Sequence, residues 1–520
     1  MSTFHGLEMA KQALFAQRSA LYTTGHNISN ANTEGYTRQR VNFETLSAYP
    51  SASRNRPEMP GQIGTGVEAG SVERIRNKFL DYQYRAENSK AEYWNTKADA
   101  LSRMESLMNE PSENGLSKTM DKFWQSLQDL SVNPENSGAR SVVAQRGLAV
   151  AETFNYLSDS LKAMRTDLKD QIDVSVKDAN SILKQINSLN DQIKNIETNG
   201  MLPNDLYDER DRLIDELSGI VNIEVSYTDS SKSAPAMADG LATIKLIGKN
   251  GSPLDDSAVL VNGNLDKDKL GYNTIEVNFQ DEDSNNNSVY NAVETITLNG
   301  ENGEEYTYTA TEFTSEGSLK GYIDSYGYTD GSGVTGTYTD MLNNLDEMAK
   351  SFVDAFNTAH KGGYDLNGEQ GENFFESVSL QGAAGTIDVK DEILENPDLI
   401  AAAKEAGDSG DGGNASKLAD VFDDEEVSIG GPDTTIKSFY QSIIGDMGVA
   451  AEEANRMVEN SGILRQQVNN QRMSVSSVSL DEEMSNMIKF QHAYNAAARS
   501  MTAVDEMLNR VINNMGIVGR

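Results

Sequence analysis

Cysteine is absent from all 520 residues, which excludes a disulfide framework, a thiolate metal site and a cysteine nucleophile. Histidine is scarce. His5, His26, His360 and His492 are scattered, and none has a second ligand at metal spacing, so no metal centre or cofactor is predicted. No apolar run approaches the roughly 18 residues that a membrane span needs. Lys11, Gln12, Gln17 and Arg18 interrupt every candidate apolar core near the N-terminus, so no signal-peptide pattern is expected either.

Positive charge is also in short supply, with 44 Lys and Arg against 80 Asp and Glu and a formal net charge of -36. The deficit is local. Residues 91–460 hold 27 basic and 67 acidic groups, whereas 1–90 hold 11 and 8 and 461–520 hold 6 and 5. An acidic middle lacks the basic footprint that nucleic acid or an anionic membrane requires, and it reads as solvated outer surface.

Catalytic signatures are missing as well. There is no G-x-S-x-G, no P-loop and no G-x-G-x-x-G between a strand and a helix. Carboxylate pairs such as Asp255-Asp256 arise by chance among so many acids, and no base or nucleophile accompanies them, so no enzymatic role is expected. Asp365, Asn367, Glu369 and Glu376 fall on positions 1, 3, 5 and 12 of an EF-hand loop, but Gln370 replaces the glycine of position 6 and Phe374-Phe375 precede the last carboxylate. A hairpin turn is the better reading of 365–376 than a calcium site.

What is present is periodicity. From Leu148 to Asn199 there is neither Gly nor Pro, and Leu157, Leu161, Met164, Leu168, Ile172, Val176, Ala179, Leu183, Ile186, Ile193 and Ile196 recur at helical spacing. This predicts one long helix and a rod-like molecule. Helical spacing also marks 101–130, broken at Pro111 and Gly115, and returns at Leu342–Phe356 and Ile436–Met447. After Gly219 the period falls to two: Ile223, Val225, Tyr227, then Ile275, Val277, Phe279. Ile296 and Leu298, the turn signals Asn299-Gly300 and Asn302-Gly303, and Tyr306 and Tyr308 predict a hairpin. Stretches near 405–414 and 423–426 read as surface loops.

Both ends carry heptads. Leu7, Leu14, Leu21 and Ile28 lie seven apart, with Ala10 and Phe4 at intermediate seam positions, and so do Leu480, Met487, Tyr494, Met501, Leu508 and Met515, with Phe490, Ala497, Val504 and Val511 at companion positions. If the two stripes pair, the middle of the chain hangs from its ends. A seam of this size offsets only part of the ordering cost, so the free ends should fray until neighbouring subunits cover them.

The fold class expected is α+β, mainly α: an elongated multidomain chain with paired terminal coiled-coil helices (1–70 and 471–520), a helical bundle with a short β or loop excursion (71–222 and 331–470), and an inserted β domain (223–330).

Three segments carry a resemblance. Thr24-Gly25-His26-Asn27-Ile28-Ser29-Asn30-Ala31-Asn32-Thr33-Glu34-Gly35-Tyr36-Thr37-Arg38-Gln39 resembles the N-terminal signature of the axial proteins of the bacterial flagellum, where Asn tolerates left-handed backbone and bonds it locally. Val478–Glu483 with Phe490–Arg499, and Asp205–Leu213, are similar to the hook-associated branch of that family; Ser29 and Ser477 depart from its pattern, standing where Ala and Gly are expected. The resemblance implies a secreted, extracellular structural subunit between hook and filament, exported unfolded through the flagellar type III channel. Implied partners are the hook protein, a second hook-filament junction protein, further copies in a ring, and a cytoplasmic export chaperone at Met487, Tyr494, Met501 and Leu508. The expected assembly interface is Leu7, Leu14, Leu21, Asn27, Ile28, Asn30 and Asn32 with Met487, Phe490, Tyr494, Met501, Val504, Leu508 and Val511. Another axial protein (hook, second junction protein or flagellin) and, from a different class, a secreted acidic calcium-binding adhesin remain as alternatives.

Overall fold

The computed structural model describes residues 4–514 apart from 51–53, 55, 57–60, 109–111, 113, 114, 266–269, 281–289, 301, 302, 332, 423–428 and 430–433. Pro111, Asn302, Met515 and the loop expected at 423–426 lie outside the described residues.

The chain begins with α1 (His5–Ser29), forms an antiparallel ribbon from β1 (Gln39–Thr45) and β2 (Val67–Arg74), and continues through α2 (Lys78–Met108), α3 (Leu116–Val132), α4 (Ser137–Thr198) and α5 (Asn204–Ile220). Then come β3 (Ile223–Thr228), β4 (Leu241–Leu246), β5 (Val259–Asn262), β6 (Gly271–Phe279), β7 (Val293–Gly300) and β8 (Glu305–Thr309). They are followed by α6 (Ser318–Tyr326), β9 (Tyr328–Thr329), β10 (Val334–Thr335) and α7 (Thr337–Lys361). Short helices α8 (Ala383–Thr386), α9 (Asp391–Glu395) and α10 (Gly413–Asp420) lead to α11 (Ile436–Ser476) and α12 (Leu480–Asn514).

The long helix starts earlier than its sequence period suggests. Asn136 caps it by accepting from the amides of Gly138 and Ala139, and its 62 residues span about 90 Å at 1.5 Å per residue. Gly147 lies inside α4, and the Phe374 ring rests on it: a Cβ there would stand 2.7 Å from Phe374 Cε1. The first half of α4 packs on α3 around Phe123, whose ring is 5.4–6.4 Å from those of Phe352, Phe356, Phe374, Phe375 and Phe422.

The second half of α4 lies on the sheet, whose strand order is β10-β9-β7-β6-β5-β4-β3, with β8 also paired to β7. Two asparagines fasten helix to strands. Asn180 accepts from the Ile275 amide at 2.7 Å and donates to its carbonyl at 2.8 Å; Asn190 does the same for Ala242 at 3.1 and 2.9 Å. The hydrophobic core therefore runs without interruption from the phenylalanine cluster into the sheet. The expected hairpin is β7–β8, with Leu298 opposite Tyr306 and Ile296 opposite Tyr308, and Gly303 at φ 80° in its turn.

Small residues bring α11 against α2, where Ala451 and Ala454 meet Ala98 and Leu101. α11 continues unbroken past position 471 to Ser476. In the stretch with EF-hand spacing, Asp365 Oδ1 accepts from the amides of Asn367 and Glu369 at 2.9 and 2.7 Å, and Tyr364 bridges to Gln370. Those carboxylate contacts close a turn. Among the described residues no group of three or more His, Cys, Asp or Glu is placed to hold a metal, and no helix is long and apolar enough to cross a membrane.

Candidate assembly interface

α1 and α12 lie against each other and run antiparallel: Asn27 near the end of α1 bonds Glu483 near the start of α12, while Gly6 faces Val504, 3.6 Å from where its Cβ would be. The deepest positions of α1 are Ala10, Ala16, Ala20, Thr24 and Asn27. These small side chains let the helices approach closely. Leu7, Leu14, Leu21 and Ile28 flank that spine and are only half-buried. A reading weighted by side-chain size picks the leucines and Ala10 but misses Ala16 and Ala20, because an alanine spine has little hydrophobic contrast.

On α12, Met487, Phe490, Met501, Val504 and Leu508 are half-buried, whereas Tyr494 and Val511 are exposed. Phe490 meets Phe43 of β1 at 6.0 Å. Among the described residues of α12, Glu483 alone is fully buried. Met484, Ile488, Met507 and Ile512 all stand more than half exposed.

The signature turn that follows α1 folds back onto both termini. Asn27 is its centre: Oδ1 accepts from Tyr36 Oη at 2.8 Å and from the Gln39 amide at 3.0 Å, while Nδ2 donates to the Gln39 carbonyl at 2.8 Å and to Glu483 Oε2 at 3.1 Å. A buried carboxamide with all these bonds satisfied fixes the geometry of the turn. Arg38 adds charge, giving Nε to Glu483 Oε1 at 2.7 Å and its other nitrogens to Glu482. Burial works against the Arg38 cation, but the two carboxylates outweigh it and hold its pKa above the ordinary value. Burial and the nearby Asp208, Asp205 and Glu483 push the Tyr36 hydroxyl up, so it remains a donor. Asn30 bonds back to the His26 carbonyl, and Asn32 faces solvent.

The third sequence motif belongs to the same place. Asp205, Asp208, Asp211 and Asp215 recur at helical spacing on α5 and face the turn and its neighbours. Asp208 accepts from the Thr37 amide at 3.0 Å and from Arg74 at 2.8 Å; Asp205 accepts from Gln39 Nε2 at 3.2 Å. Asp211 lies 2.9 Å from Arg74, 3.2 Å from Arg76 and 3.5 Å from Arg85. Burial alone would raise its pKa, yet Arg76, Arg74 and Arg85 hold it well below the carboxylate range; at Asp208 burial prevails and the pKa is raised. The expectation that the acids of the middle region form solvated surface fails here. Asp208 is 7% and Asp211 2% exposed, because arginines from β2 and α2 replace water around them.

Residues 101–375 match the family described as flagellar hook-associated protein FlgK helical domain, which covers more than half of the chain. The chain belongs to the FlgK family. Flagellar hook-associated protein 1 of Bacillus subtilis is 46% identical over the full length of both chains. The Escherichia coli and Salmonella typhimurium proteins of that name are each 25% identical, over 97% of this chain and 98% of theirs. Residues 7–37 and 469–515 also match the flagella basal body rod protein and flagellar basal body rod FlgEFG protein C-terminal families. Those matches fall on α1 with its turn and on the end of α11 with α12. The flagellar hook junction protein FlgK of Burkholderia pseudomallei shares the fold, with a TM-score of 0.57 at 14% identity over 76% of this chain and all of that one. Like other members of the FlgK family, the chain is a structural component of the bacterial flagellum.

Proposed function

We propose that this chain is the structural subunit that joins hook to filament, working outside the cell in flagellum assembly and swimming motility, with α1 and α12 as its assembly elements. The observation that carries this is the exposure of α12: a 35-residue helix with a continuous apolar stripe and one fully buried residue among those described. Such a helix has more apolar surface than its own chain covers, and contiguous exposed apolar surface marks an interaction site. Hook protein and the second junction protein are the expected partners on either side, with copies of the chain completing a ring. The role of Leu7, Leu14, Leu21, Ile28, Met487, Phe490, Met501, Val504 and Leu508 is packing, not chemistry.

Before export, the same stripe at Met487, Tyr494, Met501 and Leu508 is the expected seat of a cytoplasmic chaperone, which would shield it from premature association. The test is co-sedimentation with purified hook protein, comparing the full chain with a variant carrying Met487→Asp, Met501→Asp and Leu508→Asp, with helix content followed by circular dichroism. The unmodified chain should co-sediment and gain helix on binding, and the variant should do neither. Equal binding by both would remove these side chains from the interface.

A further inference from the structure

The segments that link α1 and α12 to the long helices converge on one buried ionic cluster. Arg74 ends β2, Arg76 lies in the link from β2 to α2, Asp81 and Arg85 belong to the first turns of α2, and Arg472 lies near the end of α11. Arg76 grips Asp81 with two nitrogens at 2.6 and 3.1 Å, Arg85 reaches Asp215 at 2.7 Å, and Arg472 reaches Asp215 at 2.5 Å while stacking 4.0 Å over the Tyr84 ring. The Arg38 amide donates to the Ser476 carbonyl at 2.9 Å, tying the signature turn to the end of α11. Tyr227 of β3 donates to Asp211 at 3.0 Å, which joins the sheet to the same cluster.

Only 75–77 and 477–479 lead from the long helices to the terminal segments. Single strands of chain like these would act as hinges if nothing bridged them. Here most of the partners are guanidinium forks and carboxylates with several oriented bonds, and the side chains of Arg74 and Asp211 are 6% and 3% exposed. Buried charged pairs of this kind add little net stability against an apolar replacement, but they tolerate few alternative geometries. Their strongest effect is on orientation.

We infer that the carboxylate stripe of α5, Asp208 and Asp211 above all, makes Arg74, Arg76, Arg85 and the Thr37 amide into a stiff joint that fixes the angle between the terminal helix pair and the long helices in the free subunit. This rests on the proposed assembly role, since a fixed angle matters to a subunit that hands one helical lattice on to another. It adds positioning residues that touch no partner themselves.

The absence of native cysteine makes the test direct. Spin labels at Glu68→Cys on β2 and Lys184→Cys on α4 report the distance across the joint by pulsed dipolar spectroscopy, and a label pair at Glu152→Cys and Lys184→Cys controls for the rod alone. The otherwise unmodified chain should give one narrow distance. Asp208→Asn and Arg74→Lys, which keeps charge but loses the fork, should each broaden it at least two-fold with the control distance unchanged; both lower the thermal midpoint, since a buried partner is left without its match, so the distances are read well below it. Asp211→Asn should broaden it most; if it does not fold, the other two variants carry the test. A broad distance in the unmodified chain, or widths unchanged in both folded variants, overturns the inference. Neither reading involves hook protein, so failure here leaves the assembly proposal standing, and failure of hook binding leaves the joint standing.

Discussion

The terminal helix pair covers its large apolar residues far less than the helix–sheet body does. In the body the apolar residues are deep and the acids mostly face water; among the described residues of the terminal pair only the small Ala10, Ala16 and Ala20 are deep beside Thr24, Asn27 and Glu483, while Leu7, Met501 and Leu508 are half-covered. A chain that had to be stable alone would place its apolar residues inside both regions. The difference separates two tasks. Polar groups with oriented bonds specify how the ends fold back, and the apolar surface left uncovered there is available to other subunits.

The contrast can be broken or sharpened by substitution. Phe123→Ala should cost most, about 3–5 kcal/mol in denaturant unfolding, since the ring is fully buried among other phenyl rings. Next is acid. His360 is buried and neutral, with Nδ1 2.6 Å from the Glu372 carbonyl and Nε2 accepting from the Ala401 amide at 3.0 Å, and burial lowers its pKa from 6.5 to about 4. The unfolded chain then takes up the proton first, so stability is intact above pH 6.5 and falls by about 3 kcal/mol as pH drops from 6.5 through 4. Urea midpoints across that window should slope less steeply in His360→Phe.

Gly147→Ala should cost about 1–3 kcal/mol, because the new methyl meets the Phe374 ring inside a packed core that has little room to shift. Smallest is Leu508→Ala, under about 1 kcal/mol in the free chain, although it lies in the proposed interface. A thermal melt settles its rank. Were Leu508→Ala as costly as Phe123→Ala, the terminal pair would be an ordinary core and the contrast would be lost.

Much of the body was legible because its periods are long and clean: α4 from Leu148 onward, the switch to period two after Gly219 and the β7–β8 hairpin all lie where the pattern puts them. The start of α4 was not, since a reading that begins at the Gly-free stretch from Leu148 stops short of Gly147, a glycine kept inside the helix by the ring packed on it. The pairing of the ends was legible from heptads, but Ala16 and Ala20 of its alanine spine were not. The largest omission was what α5 meets, since Asp205–Leu213 stood out only by its resemblance. Acids at helical spacing look like a solvated face unless the arginines that meet them are in view, and Arg74, Arg76 and Arg85 lie more than a hundred residues upstream of Asp208 and Asp211. No local pattern links the two sets.

The bond between Asn27 and Glu483 joins residues 456 apart in sequence. The entropy of closing so long a loop rises only with the logarithm of its length, so distance along the chain is a modest thermodynamic obstacle. In time it is decisive. Whichever terminus is free first must wait, unpaired, until almost the whole chain has followed, so the contact that completes the coupling surface needs nearly the whole molecule to be present.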